Sequence, residues 1–251
     1  MSWSAKRKII IFLIVIVAIG VVVGLPTFFA FYHAPTCFDN VQNQGEEGVD
    51  CGGPCTKLCQ AGFNPPVELW ATSSQVVSGV YNLLAYAANP NIGVGASLVS
   101  YDFRLYDALG ILLGERKGET AVPAATHFAV FEPTVTTGLR IPTKTFFEFT
   151  SVPQWQNASS SALSAVSSNF VVASTTSRLD VSILNSSTAE IDGAGIVAIL
   201  YDSLGNAVAF SKTVAPSIGA LGTQNISFTW PYHIGETIAK KEFLFEDNSS
   251  I

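Results

Sequence analysis

The sequence predicts an all-β protein: two tandem immunoglobulin-like antiparallel β-sandwiches, preceded by one transmembrane helix and a small disulfide-rich segment. Three observations carry the prediction. An apolar run without a charged residue spans 9–31. All four cysteines, Cys37, Cys51, Cys55 and Cys59, fall in one short segment after it. Beyond the cysteines, short stretches of alternating apolar and polar residues, separated by turn residues, recur in the same order about 95 residues apart.

The apolar run follows Lys6, Arg7 and Lys8 directly. At about 1.5 Å per residue, some 20 helical residues cross a hydrocarbon core of about 30 Å. Residues 9–31 suffice, with Pro26 placed to kink the helix or to end it. Phe28, Phe29, Phe31 and Tyr32 lie where aromatic side chains favour the outer interface. The basic cluster marks residues 1–8 as a cytoplasmic tail, so the rest of the chain is exported to the cell envelope. A cleaved signal peptide is the competing reading. Its apolar core is shorter, about 7–15 residues, and its cleavage site needs small residues where this sequence places Tyr32 or Phe28.

About 215 residues remain outside the anchor, room for two domains of ~100 residues. Only 13% of the 251 residues are charged and the net charge is −6. No basic stripe exists, which excludes nucleic acid as a partner. The abundance of Ser, Thr, Val, Ala and Gly favours strands and polar turns over helical bundles.

Residues 32–66 form the stalk and linker. An even number of clustered cysteines in an exported segment reads as disulfides, with three pairings open. The segment has too little apolar content to hold itself together without them. Zinc on four thiolates conflicts with an oxidising compartment. Calcium is the metal reading that the composition allows, because Asp39, Asn43, Glu46 and Asp50, with Glu47, offer hard oxygen ligands in one loop. Their spacing is not that of an EF-hand. Solvated turn residues are the alternative.

The segment from Cys37-Phe38-Asp39-Asn40 through Asn43, Glu46 and Asp50-Cys51-Gly52-Gly53 to Cys55 resembles a cysteine-rich motif of bacterial cell-surface proteins. That motif has Gly where this chain has Asn40, and Asn tolerates the same left-handed backbone.

The first sandwich is expected over 67–152, with strands at 67–71, 79–87, 98–107, 111–115, 127–132 and 145–150. Val99, Tyr101, Phe103 and Leu105 alternate onto one face. A Ser- and Ala-rich junction over 153–168 follows, then the second sandwich over 169–251. Leu105-Tyr106-Asp107-Ala108-Leu109-Gly110 returns as Leu200-Tyr201-Asp202-Ser203-Leu204-Gly205. Strands before each copy end near Asn89 and Asn185, and Phe147 and Phe149 match Phe243 and Phe245. Repetition on this scale points to duplication. In each copy Asp can bond backbone amides of a turn that Gly closes with positive φ.

Phe103-Arg104-Leu105-Tyr106-Asp107 resembles the signature of FxLYD domains. Those are similar to the late-embryogenesis-abundant type 2 proteins, which share an immunoglobulin-like sandwich. The second copy keeps Leu200, Tyr201 and Asp202 but carries Ala198 in place of Phe. The resemblance implies a fold and an extracytoplasmic setting, and no catalytic residues.

Chemistry has little to stand on. His33, His127 and His233 are scattered, no Ser sits in a Gly-x-Ser-x-Gly elbow, and no His-Glu-x-x-His or phosphate loop occurs. Asp102 with Asp107, or Glu115 with Glu119, are the conceivable acid pairs. Trp70, Trp155, Trp230 and Tyr232 are the candidate binding residues: either core packing or a recognition surface. Asn157, Asn185, Asn225 and Asn248 head Asn-x-Ser patterns. The expected function is a membrane-anchored, non-catalytic binding or structural role toward an envelope protein or glycan. An accessory subunit of a membrane complex is the alternative, and an envelope hydrolase the third.

Overall fold

The structure is a computed structural model describing residues 3–31 and 36–246. Tyr32, His33 and Asn248 lie outside the described residues. The chain divides into two compact units, Met1–Cys55 and Thr56–Ile251.

In the first unit, α1 spans Trp3–Phe31. Lys6–Thr27, uncharged after its three basic residues, is buried nowhere against the protein and is long and apolar enough to cross a membrane. Pro26 stays inside the helix instead of ending it. Beside it the Thr27 hydroxyl donates to the carbonyls of Val23 (2.8 Å) and Gly24 (3.0 Å), an internal partner that lipid could not supply. The cysteine segment follows. Cys37 and Cys55 are bridged, and Cys51 and Cys59 are also disulfide-bonded, so no cysteine is free.

Apart from one 3-10 turn at Gln60–Gly62, the regular structure of the second unit is antiparallel β-sheet. The first sandwich comprises β1 (Val67–Val77), β2 (Val80–Ala88), β3 (Val94–Tyr106), β4 (Leu112–Val122), β5 (His127–Thr136), β6 (Lys144–Phe149) and β7 (Gln156–Asn157). Sheet β1-β2-β5 covers sheet β4-β3-β6, and β7 pairs with the start of β3. The second comprises β8 (Leu163–Val172), β9 (Ser177–Asn185), β10 (Ile191–Tyr201), β11 (Ala207–Ile218), β12 (Thr223–Trp230) and β13 (Lys240–Glu246). There β8-β9-β12 covers β11-β10-β13. The six principal strands of each sandwich are connected in the same order.

Alternation builds each core. Tyr81, Leu83, Ala85 and Ala87 of β2 meet Val99, Tyr101, Phe103 and Leu105 of β3 in the first sandwich. Leu179, Val181 and Ile183 meet Ile196, Ala198 and Leu200 in the second. The expected junction over 153–168 is corrected at both ends. Pro153 and Trp155 are buried and β7 still belongs to the first sandwich, while β8 starts at Leu163. The Ser residues of β8 read as linker because they occupy its solvated positions.

The two sandwiches also share a third apolar cluster. Leu84, Tyr86 and Ala129, on the outer face of β1-β2-β5, pack on Val197, Ile199, Tyr201, Phe210 and Leu244, on the outer face of β11-β10-β13. Strands β2 and β10 are therefore buried on both faces. Leu84, Val197 and Ile199 are fully buried, so the two sandwiches are docked sheet on sheet and not strung as beads.

Candidate functional site

The cysteine segment is shaped by its acids. Asp50 Oδ1 accepts from the amides of Asp39 (3.0 Å) and Asn40 (3.1 Å). Asp39 Oδ1 accepts from Val41 N (2.9 Å), and its Oδ2 from Thr36 N (3.0 Å) and Asn43 Nδ2 (2.9 Å). Glu46 is buried and its Oε2 accepts from Asn43 N (3.3 Å) and Asp50 N (3.2 Å). The bond from Asn43 holds the Asp39 carboxyl below its usual range. Asn40 takes φ 60°, as its place in the motif requires. These carboxylates fold the loop by binding amides, and a calcium ion on Asp39, Glu46 and Asp50 would compete with those donors, whereas the Asn43 side-chain oxygen is buried and accepts no hydrogen bond from the described residues. The sulfurs of Cys37 and Cys55 lie with a Glu46 oxygen within 4.8 Å of one another, but they are bonded to each other and offer no thiolate to a metal.

The four aromatic candidates are structural in position. Trp155 and Trp230 are buried in the two cores, so of the two readings core packing holds for them and the recognition surface is corrected. Gln60 fixes Trp155 through paired backbone bonds, Trp155 N to Oε1 (2.8 Å) and Nε2 to Trp155 O (3.3 Å). Trp230 Nε1 donates to Phe210 O (3.0 Å). Trp70 stacks on Tyr86 at 5.1 Å beside the docked faces, and the Tyr232 hydroxyl meets Ser74 Oγ at 3.0 Å, joining the sandwiches.

The matched motifs form turns. Asp107 Oδ1 accepts from Leu109 N and Ile111 N, both 2.9 Å, and Gly110 takes φ 77°. Asp202 Oδ1 accepts from Leu204 N (2.9 Å) and Asn206 N (2.8 Å), and Gly205 takes φ 83°. Phe103, Leu105 and Leu200 are buried, as is Ala198 where Phe103 has its counterpart. Tyr201 is buried by docking, whereas Tyr106 is only half-buried. Glu242 accepts the Tyr86 hydroxyl across the interface (2.9 Å), and burial, then Glu242, raise the pKa of Tyr86 and Tyr201.

The conceivable acid pairs are otherwise engaged. Asp102 is buried beneath Arg104, whose Nε donates to it at 2.8 Å, and Arg104 also pairs with Glu148. Asp107 pairs with Arg140 (2.8 Å) and Glu115 with Lys117 (3.2 Å). His127 stacks on Tyr86 at 5.2 Å, and His233 Nδ1 lies 2.9 Å from Ala173 O. The two histidines belong to different sandwiches.

What sequence reasoning missed is the contrast between faces. Leu84 and Tyr86 of β2 correspond to Asp180 and Ser182 of β9, and Ala129 and Phe131 of β5 to Asn225 and Ser227 of β12. The same topological face is thus apolar and buried in the first sandwich, polar and solvated in the second. A groove of about 550 Å³ crosses that solvated face, lined by Ser167, Asn169, Arg178, Asp180, Ser182, Asn225 and Ser227 among others. Ser227 Oγ donates to Asp180 Oδ1 (2.6 Å), Arg178 Nε to the same oxygen (2.7 Å), and Ser182 Oγ to Asn225 Oδ1 (2.6 Å). The Ser227 bond, then Arg178, hold the Asp180 carboxyl below its usual range. The available signal was the substitution of polar for apolar residues at matched repeat positions.

No protein-family profile matches the sequence, and no curated protein matches it. Among solved structures, a red sea bream transglutaminase matches 73% of the chain at 10% identity and TM-score 0.27. A β-glucuronidase of glycoside hydrolase family 2 matches 81% at 10% identity and TM-score 0.24. The chain spans 30% and 25% of those proteins' lengths. All-β sandwich architecture is the conclusion that the geometry itself establishes.

Proposed function

We propose that the chain is a single-pass membrane protein whose N-terminal tail is cytoplasmic and whose docked sandwiches stand outside the membrane as a non-catalytic binding module. The apolar helix, its basic N-terminal flank and the oxidised cysteines support the placement. Duplication of one six-strand unit is supported by the shared connectivity and the recurring turn motif.

The single observation that carries the binding reading is the groove on β8-β9-β12. Its lining is rich in hydroxyl and amide groups and holds one Arg–Asp pair. A protein hot spot needs a desolvated aromatic or apolar anchor, which this groove lacks. Its donors and acceptors suit the hydroxyls of a saccharide, so a glycan is the favoured ligand. The second reading, accessory subunit of a membrane complex, is favoured by Gly20 and Gly24, spaced as in helices that pack closely in lipid.

One experiment tests both. The full chain in detergent micelles is probed on a glycan array and checked for co-purifying protein. The glycan reading expects retention that is lost in Ser182→Lys with Asn225→Lys. Unchanged retention in that variant, or none by the wild type, contradicts it. A stoichiometric protein partner lost on Gly24→Ile would support the second reading instead.

A further inference from the structure

Three adjoining loops close one end of the first sandwich, at 77–79, 107–112 and 137–143. They are tied together: Thr137 N donates to Gly79 O (2.9 Å), Thr143 N to Tyr106 O (2.9 Å), and Arg140 Nη1 to Asp107 Oδ2 (2.8 Å). This end carries an unusual load of exposed aliphatic side chains. Leu139 is 97% exposed, Leu109 83% and Ile141 70%, with Val77, Ile111 and Leu112 exposed beside them. Clusters of this kind on a folded domain mark interaction sites. The corresponding turn of the second sandwich exposes Leu204 as its large aliphatic residue.

The opposite end of the same sandwich carries an apolar groove of about 610 Å³. Phe63, Phe149 and the buried Trp155 line it, and the exposed Val67 and Val152 stand on its rim. Glu68 adds acid to the lining, and Glu148 beside it is paired with Arg104. Volume and lining are those of a cleft that receives apolar groups. The tip carries the complementary charge on Lys144, which is exposed, while Arg140 and Asp107 neutralise each other. Strand β1 runs from the groove at Val67 to the tip at Val77, 11 residues or on the order of 30 Å, so a tip cannot enter its own groove.

We infer that the molecule self-associates head to tail, the aliphatic tip of one copy's first sandwich seated in the apolar groove of a second copy. The contact joins two different patches, so it is heterologous and adds copy to copy, as a ring or an open chain, instead of forming a symmetric dimer. It involves neither the β8-β9-β12 groove nor the docked faces, and stands apart from the glycan reading.

The test uses the full chain in nanodiscs loaded with one copy each, with mass measured as concentration rises. The wild type is expected to grow into a series of multimers. Leu139→Asp with Ile141→Asp disables the tip, and Val67→Asp with Val152→Asp disables the groove. All four positions are exposed, so the fold is retained. Each variant alone is expected to associate more than about tenfold more weakly. Mixed together they are expected to form a 1:1 dimer that grows no further, because one supplies the intact groove and the other the intact tip. A wild type that stays single overturns the inference. So does association abolished by the tip variant but not the groove variant, the result expected if the tip enters lipid, which binding to phosphatidylcholine vesicles would register. A mixture that fails to dimerise overturns it as well.

Discussion

Two asparagines hold the loops of the sandwiches in register. Asn89 Nδ2 donates to Val94 O and Pro123 O, both 2.9 Å, and its Oδ1 accepts from Asn91 N. Asn185 Nδ2 donates to Ala189 O (2.8 Å) and Ile218 O (3.0 Å), and its Oδ1 accepts from Ser187 N. Both side chains are buried, so alanine would strand carbonyls away from water. Asn89→Ala and Asn185→Ala should each destabilise the fold by about 1–3 kcal/mol, measured by denaturant unfolding. An unchanged midpoint would show that water replaces these bonds without cost. The burial of Asn185 also removes it as a glycan acceptor in the folded chain, whatever its Asn-x-Ser context. The sequence marks both residues as strand ends but not as buried bridges, because Asn in a turn is common and a carbonyl's isolation depends on loops distant in the chain. The Asp107 and Asp202 turns were legible, since their geometry is set within five residues.

At the scale of strands, β2 and β10 differ from their counterparts. Where β10 has Val197 and Ile199 on its outer face, β3 has Asp102 and Arg104; where β2 has Leu84, β9 has Asp180. A central strand covered on both faces reads as a continuous apolar run, and 194–201 does so. Leu84→Asp copies the residue that the matched strand already tolerates, but places its charge in the docked interface. The two sandwiches should then unfold in separate calorimetric transitions, where the wild type is expected to show one. A single unshifted transition would contradict docking as an energetic coupling. The candidate groove was less legible than the strands. Ser167, Ser182, Asn225 and Ser227 look like ordinary solvated positions until the sheets are known to place them side by side.

On the scale of the whole molecule, apolar faces meet inside and polar faces remain outside. The free face of the first sandwich carries Asp102, Arg104, Glu115, Lys117 and Glu148, and that of the second the hydroxyl- and amide-rich groove. Polar terminal faces stop such stacks from adding further units through the same surfaces. The fold class was readable because alternation and turn chemistry are local. The docking was not, because Leu84 and Tyr86 are equally at home in a sandwich core. The proposal that the sandwiches stand outside the membrane rests on the apolar helix and the disulfide-bonded cysteines. Its most direct test is labelling of intact cells by a membrane-impermeant maleimide and by added protease. The account predicts that protease removes the sandwiches from outside, that the helix stays with the membrane, and that no cysteine reacts until a reductant is added. A body protected from protease, with four thiols labelled only after lysis and without reductant, would contradict it.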